Sequence, residues 1–244
     1  MIRSLALIFL LAGPVYGLEC KNDQFEDIPF AICSANIKKD DIRIFLRNDN
    51  DDIFGSFQTL NADLKSQSIT LGLAMNGGMF RPDLSPVGLY IENGKVLRKT
   101  VSRAGPGNFG MLPNGIFCIT PHSLKVIETI AYTKTKPNCL FATQSGPMLV
   151  VDGKLHPKFL PDSSSRFIRN GVGTSQEGQW AHFVITNRPI IFHQFARLFK
   201  DHLGLNSALY LDGNISQMYA PLINRVGHGR SLGPIIGVVS PADH

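Results

Sequence analysis

The spacing of apolar positions predicts a strand-rich chain. Between Phe30 and Leu46, Ile42, Ile44 and Leu46 share one parity, the two-residue period of a half-buried strand. Ile69 to Met75 is an apolar run of strand length. Tyr90-Ile91-Glu92-Asn93-Gly94-Lys95-Val96-Leu97 predicts a hairpin, because Asn-Gly supplies the positive φ of a type I′ turn. Leu149 to Leu155 repeats the device with Asp152-Gly153, and Pro113-Asn114-Gly115 predicts a turn ahead of a strand from Ile116 to Ile119. Cys118 and Cys139 are expected on two strands separated by one loop. Ala181–Thr186, Pro189–Phe192, Ala208–Leu211 and Ile235–Val239 complete the expected strands. Two segments carry helical spacing instead. Ser56 is placed to cap a helix whose Phe57, Leu60 and Leu64 share one face. His193 to Leu203 aligns Phe195, Leu198 and Phe199, with Gly204 at the position of a C′ glycine. Most connections read as hairpins. The expected fold is therefore α+β: one domain of strand-rich, mixed or antiparallel sheets with two or three helices. Pro161 to Asn170 reads as a polar loop too short to divide domains.

Composition narrows the class. At 244 residues, 43% hydrophobic and 18% charged, the chain is too apolar for disorder and long enough to bury a large core. The 24 Lys and Arg against 19 Asp and Glu give +5, but the densest basic pairs are Lys38-Lys39 and Arg98-Lys99, which is no nucleic-acid footprint. The amino terminus reads as a secretory signal peptide over residues 1–17: Arg3, the apolar run Leu5 to Ala12, then Val15-Tyr16-Gly17 at the cleavage site. Residues 18–244 form the expected domain, without an integral membrane segment, in a periplasmic or extracellular location. Export changes the meaning of the four Cys, since an even count in an oxidising compartment indicates disulfides. Of three pairings, Cys20–Cys33 with Cys118–Cys139 is preferred. No Cys has metal-site spacing.

Four glycine-bearing segments stand out as places for chemistry. Asn76-Gly77-Gly78 follows an apolar strand, where a backbone without Cβ atoms can approach a ligand closely. Ala142-Thr143-Gln144-Ser145-Gly146-Pro147 reads as a polar loop entering a strand. Arg166 and Arg169, near Gly171 and Gly173, offer permanent charge and paired donors for a phosphate. Leu211-Asp212-Gly213 delivers a carboxylate at the end of an apolar strand. Several familiar motifs are missing. There is no P-loop, no helix-opening GxGxxG, no GxSxG and no HExxH.

In order, Asn76-Gly77-Gly78-Met79-Phe80, Ser145-Gly146-Pro147-Met148-Leu149, Arg169-Asn170-Gly171-Val172-Gly173 and Leu211-Asp212-Gly213-Asn214-Ile215-Ser216 resemble the phosphodiester glycosidase family, over about Phe30 to Val239. Asn170, Asn214 and Ile215 depart from the residues of animal members. The resemblance implies an exported hydrolase that cleaves sugar-1-phosphodiester bonds in envelope or extracellular glycans. It implies Asp212, Asn76 and Arg169 as catalytic. Gly77, Gly78, Ser145, Gly146, Arg166, Gly213 and Ser216 complete the substrate-binding set. Only one clear carboxylate is supplied, whereas ordinary glycosidases use two. Asp212 therefore either stabilises or attacks an oxocarbenium-like centre, or holds a divalent cation against the phosphate. No other cofactor is implied. The rival reading is a non-catalytic sugar-phosphate-binding envelope protein. A third, cleavage of the P–O bond, predicts sugar 1-phosphate as product.

Overall fold

The computed structural model describes residues 17–212, 215–227 and 229–242. The expected signal peptide lies outside them except for Gly17. In chain order the elements are β1 (Glu19–Phe25), β2 (Ile28–Asn36), β3 (Asp41–Phe45), α1 (Phe57–Ser66), β4 (Ile69–Asn76), β5 (Tyr90–Glu92), β6 (Lys95–Arg98), β7 (Gly115–Ile119), β8 (Leu124–Glu128) and α2 (Thr129–Thr135). They continue with β9 (Phe141–Ser145), β10 (Met148–Val151), β11 (Lys154–Leu155), β12 (Asn170–Thr174), β13 (Trp180–Thr186), α3 (Phe192–Arg197), β14 (Ser207–Tyr210), β15 (Met218–Tyr219) and β16 (Ile235–Pro241).

These strands form three sheets. Seven follow the order β1-β2-β13-β12-β14-β10-β11, four the order β15-β4-β16-β3, and five the order β6-β5-β9-β7-β8. Among the described residues every strand pairing is antiparallel, so the fold is strand-rich α+β. One buried cluster joins all three sheets, with Ala31 and Phe183 from the first, Ile44 and Met75 from the second and Phe117 from the third. Phe117 meets Phe183 edge to face, with centroids 5.9 Å apart. Each helix then covers one sheet: α1 the four-stranded, α2 the five-stranded and α3 the seven-stranded.

Local chemistry explains the elements that the pattern predicts. Ser56 Oγ accepts the Thr59 N–H and caps α1, which buries Phe57, Leu60 and Leu64. Asn93 and Gly94, at φ 51° and 75°, turn β5 into β6; Asp152 and Gly153, at 47° and 73°, turn β10 into β11. Beyond Arg197, α3 continues as one π-helical turn, Leu198–His202, and Gly204 at φ 67° ends it.

Three expectations are corrected. Pro189–Phe192 is not a strand: it makes one bridge, Ile190 with Phe167, and α3 already begins at Phe192. Ala142 to Ser145 is not a loop but the buried end of β9, whose polar side chains find partners inside the protein. His182 lies within β13, bonded to Ser34. Both preferred disulfides form, Cys20–Cys33 and Cys118–Cys139. Cys139, however, precedes β9, and β8 and α2 separate it from Cys118.

Candidate active site

The four glycine-bearing segments come together where the three sheets meet. Asn76 ends β4 of the four-stranded sheet, and Ser145 ends β9 of the five-stranded sheet. Asn170 begins β12 of the seven-stranded sheet, and Asp212 follows its neighbour β14, with Gly171 opposite Tyr210.

Hydrogen bonds between these ends hold the junction. Asn170 Nδ2 donates to Asn76 Oδ1 at 2.5 Å, and the Gln217 N–H donates to the same oxygen at 2.8 Å. On its other side, Asn170 Oδ1 accepts the Asp212 N–H at 3.0 Å. Ser145 Oγ donates to the Leu211 carbonyl at 2.7 Å. Gly78 N–H donates to Thr143 Oγ1 at 3.0 Å, tying the first segment to the second. A Cβ at Gly78 would stand 2.3 Å from the Gln144 carbonyl oxygen, so this crossing admits only glycine. Gly173 has a different reason: a Cβ there would meet Leu205 and Phe199 at 2.6 and 2.8 Å, which lets the helical layer lie directly on β12.

Burial divides the candidates into two tiers. Asn76, Ser145, Arg169 and Asn170 are 0% exposed, whereas Asp212, Ser216 and Gln217 are half-buried. The Ile215 N–H donates to Asp212 Oδ1 at 3.4 Å, and Ser216 Oγ lies 2.6 Å from the Asp212 carbonyl. The Asp212 turn is thus held from both sides of its backbone. Asn76 Nδ2 is a buried donor without a hydrogen-bond partner.

Arg169 is placed differently from the expectation of direct phosphate contact. Its guanidinium donates to the Ile190 carbonyl at 2.8 Å and the Ser165 carbonyl at 2.9 Å, and reaches Tyr210 Oη at 3.4 Å. It lies over the Phe192 ring, 3.6 Å from the centroid. No carboxylate forms an ion pair with it among the described residues. Burial pushes its pKa down, and Tyr210 opposes that shift. Burial also raises the Tyr210 hydroxyl well above its usual range; Arg169 opposes this, and the charge of Asp212 adds to it. Asp212 and Arg169 therefore act electrostatically on the same hydroxyl. Arg166 is exposed at the surface, outside this network. Gly146 forms the turn between β9 and β10 with Pro147, while Gly77 N–H donates to the Pro234 carbonyl at 2.7 Å. Gly213 lies outside the described residues.

Gln217 and Tyr210 were not singled out by the sequence, and Asn170 and Thr143 stood there only within their segments, without a role. Their partners lie far along the chain, 94 residues for Asn170 and 141 for Gln217, so no local pattern marks them. Among the described residues no three His, Cys, Asp or Glu assemble as a metal-binding group. Asp212 is the one motif carboxylate that a cation could use.

Residues 70–239 match the family described as phosphodiester glycosidase. The chain belongs to the phosphodiester glycosidase family. The match spans all four junction segments. The chain is also similar to the protein YigE of Escherichia coli K12, with 36% identity over 186 residues, covering 76% of this chain and 72% of that one. Its fold resembles the catalytic domain of zebrafish N-acetylglucosamine-1-phosphodiester alpha-N-acetylglucosaminidase, with a TM-score of 0.61 and 14% identity over 93% of this chain and 84% of that one. It also resembles a Burkholderia pseudomallei protein assigned to export, with a TM-score of 0.59 and 11% identity over 86% and 74% of the two chains. At such identities these structural likenesses show a shared fold.

Proposed function

We propose that the protein hydrolyses sugar-1-phosphodiesters, with Asp212 as the carboxylate at the reacting carbon. The observation that carries this reading is the convergence of all four segments on Asp212, whose backbone N–H is held by Asn170. Such positioning keeps a carboxylate in one orientation as charge develops at an anomeric carbon. The leaving group is a phosphate monoester, which departs without strong protonation, so one carboxylate is consistent with the reaction. The half-buried rim of Asp212 and Ser216 would meet the sugar and phosphate, above Gly77 and Gly78, whose N–H groups are taken by Pro234 and Thr143. Asn76 Nδ2, Ser145 and Gly146 shape the floor. Arg169 contributes its uncompensated positive charge from beneath, and exposed Arg166 is free to meet the phosphate directly. The zebrafish enzyme's name supports a glycosyl-phosphodiester substrate class. Export, with residues 1–17 removed as a leader, is part of the same proposal and is supported by two disulfides.

A sugar-phosphate-binding role is the second reading, favoured by the motifs supplying one carboxylate where ordinary glycosidases use two. Asp83 accepts the Ser85 hydroxyl, and Glu92 accepts the Tyr90 hydroxyl. Turnover separates the readings. Wild type should release free sugar from sugar-1-phosphodiesters, and Asp212→Asn should not. Tight binding without product would favour the second reading. In heavy-oxygen water, label on the sugar supports C–O cleavage; label on the phosphate would instead indicate P–O cleavage.

A further inference from the structure

The outer side of the five-stranded sheet has no part in the proposed chemistry. Its edge strand β6 is exposed at all four residues. Val96 is 58% exposed, and Ile130 on α2 and Leu140 beyond it are 43% and 42%, whereas Leu97 and Arg98 turn to the other face beside Tyr90 and Glu92. Val96, Ile130 and Leu140 are three of the eight large apolar side chains exposed among the described residues. Between β6 and α2 runs a groove of about 570 Å³, lined by Ile91, Val96, Tyr132 and Pro137, with Lys99 and Lys136 on it.

Charge is concentrated in the same place. Residues 90–100 and 128–140 carry five cations, Lys95, Arg98, Lys99, Lys134 and Lys136, against Glu92 and Glu128. These two segments hold +3 of the chain's net +5. All five cations are exposed, and none forms an ion pair among the described residues. The two carboxylates are already engaged, Glu92 by the Tyr90 hydroxyl and Glu128 by the Ala131 N–H that it caps. The face is also fixed to the candidate site. Gln144, next to Ser145, accepts the Leu89 and Val101 N–H groups and donates to the Val101 carbonyl and to Thr129 Oγ1. One side chain thereby pins both flanks of the groove.

We infer that this face docks on an anionic lipid bilayer surface. Unpaired cations alone would suit any polyanion. Apolar side chains set among them suit a partner in which anionic groups and hydrocarbon meet within a few ångström, and a bilayer interface is such a partner. No helix among the described residues is long and apolar enough to cross a membrane, so the attachment through this face is peripheral. The inference is independent of the reaction at Asp212.

The test is sedimentation of the purified protein with vesicles of phosphatidylglycerol and phosphatidylcholine, against vesicles of phosphatidylcholine alone. Wild type binds the anionic vesicles, and the binding weakens as salt rises. Lys95→Gln/Lys99→Gln/Lys136→Gln lowers the partition about 100-fold, at about five-fold per cation. Val96→Ser/Leu140→Ser lowers it about tenfold. The control Lys65→Gln/Lys154→Gln/Lys158→Gln, which removes equal charge elsewhere, binds like wild type. All three variants change exposed side chains, and unchanged thermal midpoints verify their folding. Failure of wild type to bind anionic vesicles overturns the inference. So does an equal loss in the control, which would make the effect one of net charge. Unchanged binding by the Val96/Leu140 variant, with heparin competing as well as lipid, would mean a soluble polyanion site and would also overturn it.

Discussion

Replacing Asn170 by Ala strikes the joint between the sheets. The side chain is 0% exposed and bridges two other segments, donating to Asn76 Oδ1 and accepting the Asp212 N–H. In the variant the Asp212 N–H loses that acceptor, a loss worth about 1–3 kcal/mol for a buried donor. Asn76 Oδ1 keeps the Gln217 N–H, so its loss is a single net hydrogen bond, about 0.5–1.5 kcal/mol. Together the cost is about 2–4 kcal/mol, or a fall in Tm of about 4–16 °C for a chain of this size. Asn170→Asp is no remedy. A carboxylate would face Asn76 Oδ1, and turning the Asn76 amide over would give up the Gln217 bond. Urea unfolding of wild type, Asn76→Ala, Asn170→Ala and the double variant measures the cost and the coupling, expected at about 1 kcal/mol or more for residues in contact. A loss below about 0.5 kcal/mol for Asn170→Ala, or additive single losses, would refute the idea that this bridge joins the sheets.

Further expectations follow from other parts of the structure. Gly78→Ala forces a Cβ to 2.3 Å from the Gln144 carbonyl oxygen, which cannot move without disturbing β9, and should cost about 1–3 kcal/mol or more in urea unfolding. Converting Cys118 and Cys139 to Ala opens a link between residues 21 apart and should cost about 3 kcal/mol relative to the oxidised protein. Burial holds the pKa of His156 and of His182 below the ordinary 6.5. The unfolded chain then takes up protons first, so stability is full above about 6.5 and declines as pH falls below it. His182→Gln should flatten that decline in denaturation measured from pH 7.5 downward, and an unaltered slope would contradict the assignment.

Much of the fold was legible because its signals are local. Asn93-Gly94 and Asp152-Gly153 supply their own turn geometry, and Ser56 caps the helix it precedes. Other elements carry contrary or neutral signals. β1, with the sequence ECKNDQF, is largely polar and is held by its register with β2, with Cys20 opposite Cys33. α2 contains β-branched Ile130 and three Thr, residues of modest helix propensity, and gains its place by packing Tyr132 over the disulfide-bearing sheet. Pro189 to Phe192 looks extended, but Ile190 is spent on one bridge and on the Arg169 guanidinium. At the site, the resemblance located the four segments, while the roles within them depend on distant partners. Nothing local to Arg169 reveals that Ile190, Ser165 and Phe192 enclose it. Nor does the Gln144 sequence context reveal that it joins Leu89, Val101 and Thr129.

The central claim is that the junction presents Asp212 to the anomeric carbon of a sugar-1-phosphodiester. The direct measurement is product analysis after incubating wild type and Asp212→Asn with nucleotide sugars and sugar-phospho-sugar conjugates, with matched folding stability. Wild type should release free sugar from at least one substrate, and Asp212→Asn should lose about 100-fold or more in turnover. Equal turnover by the two proteins would contradict it.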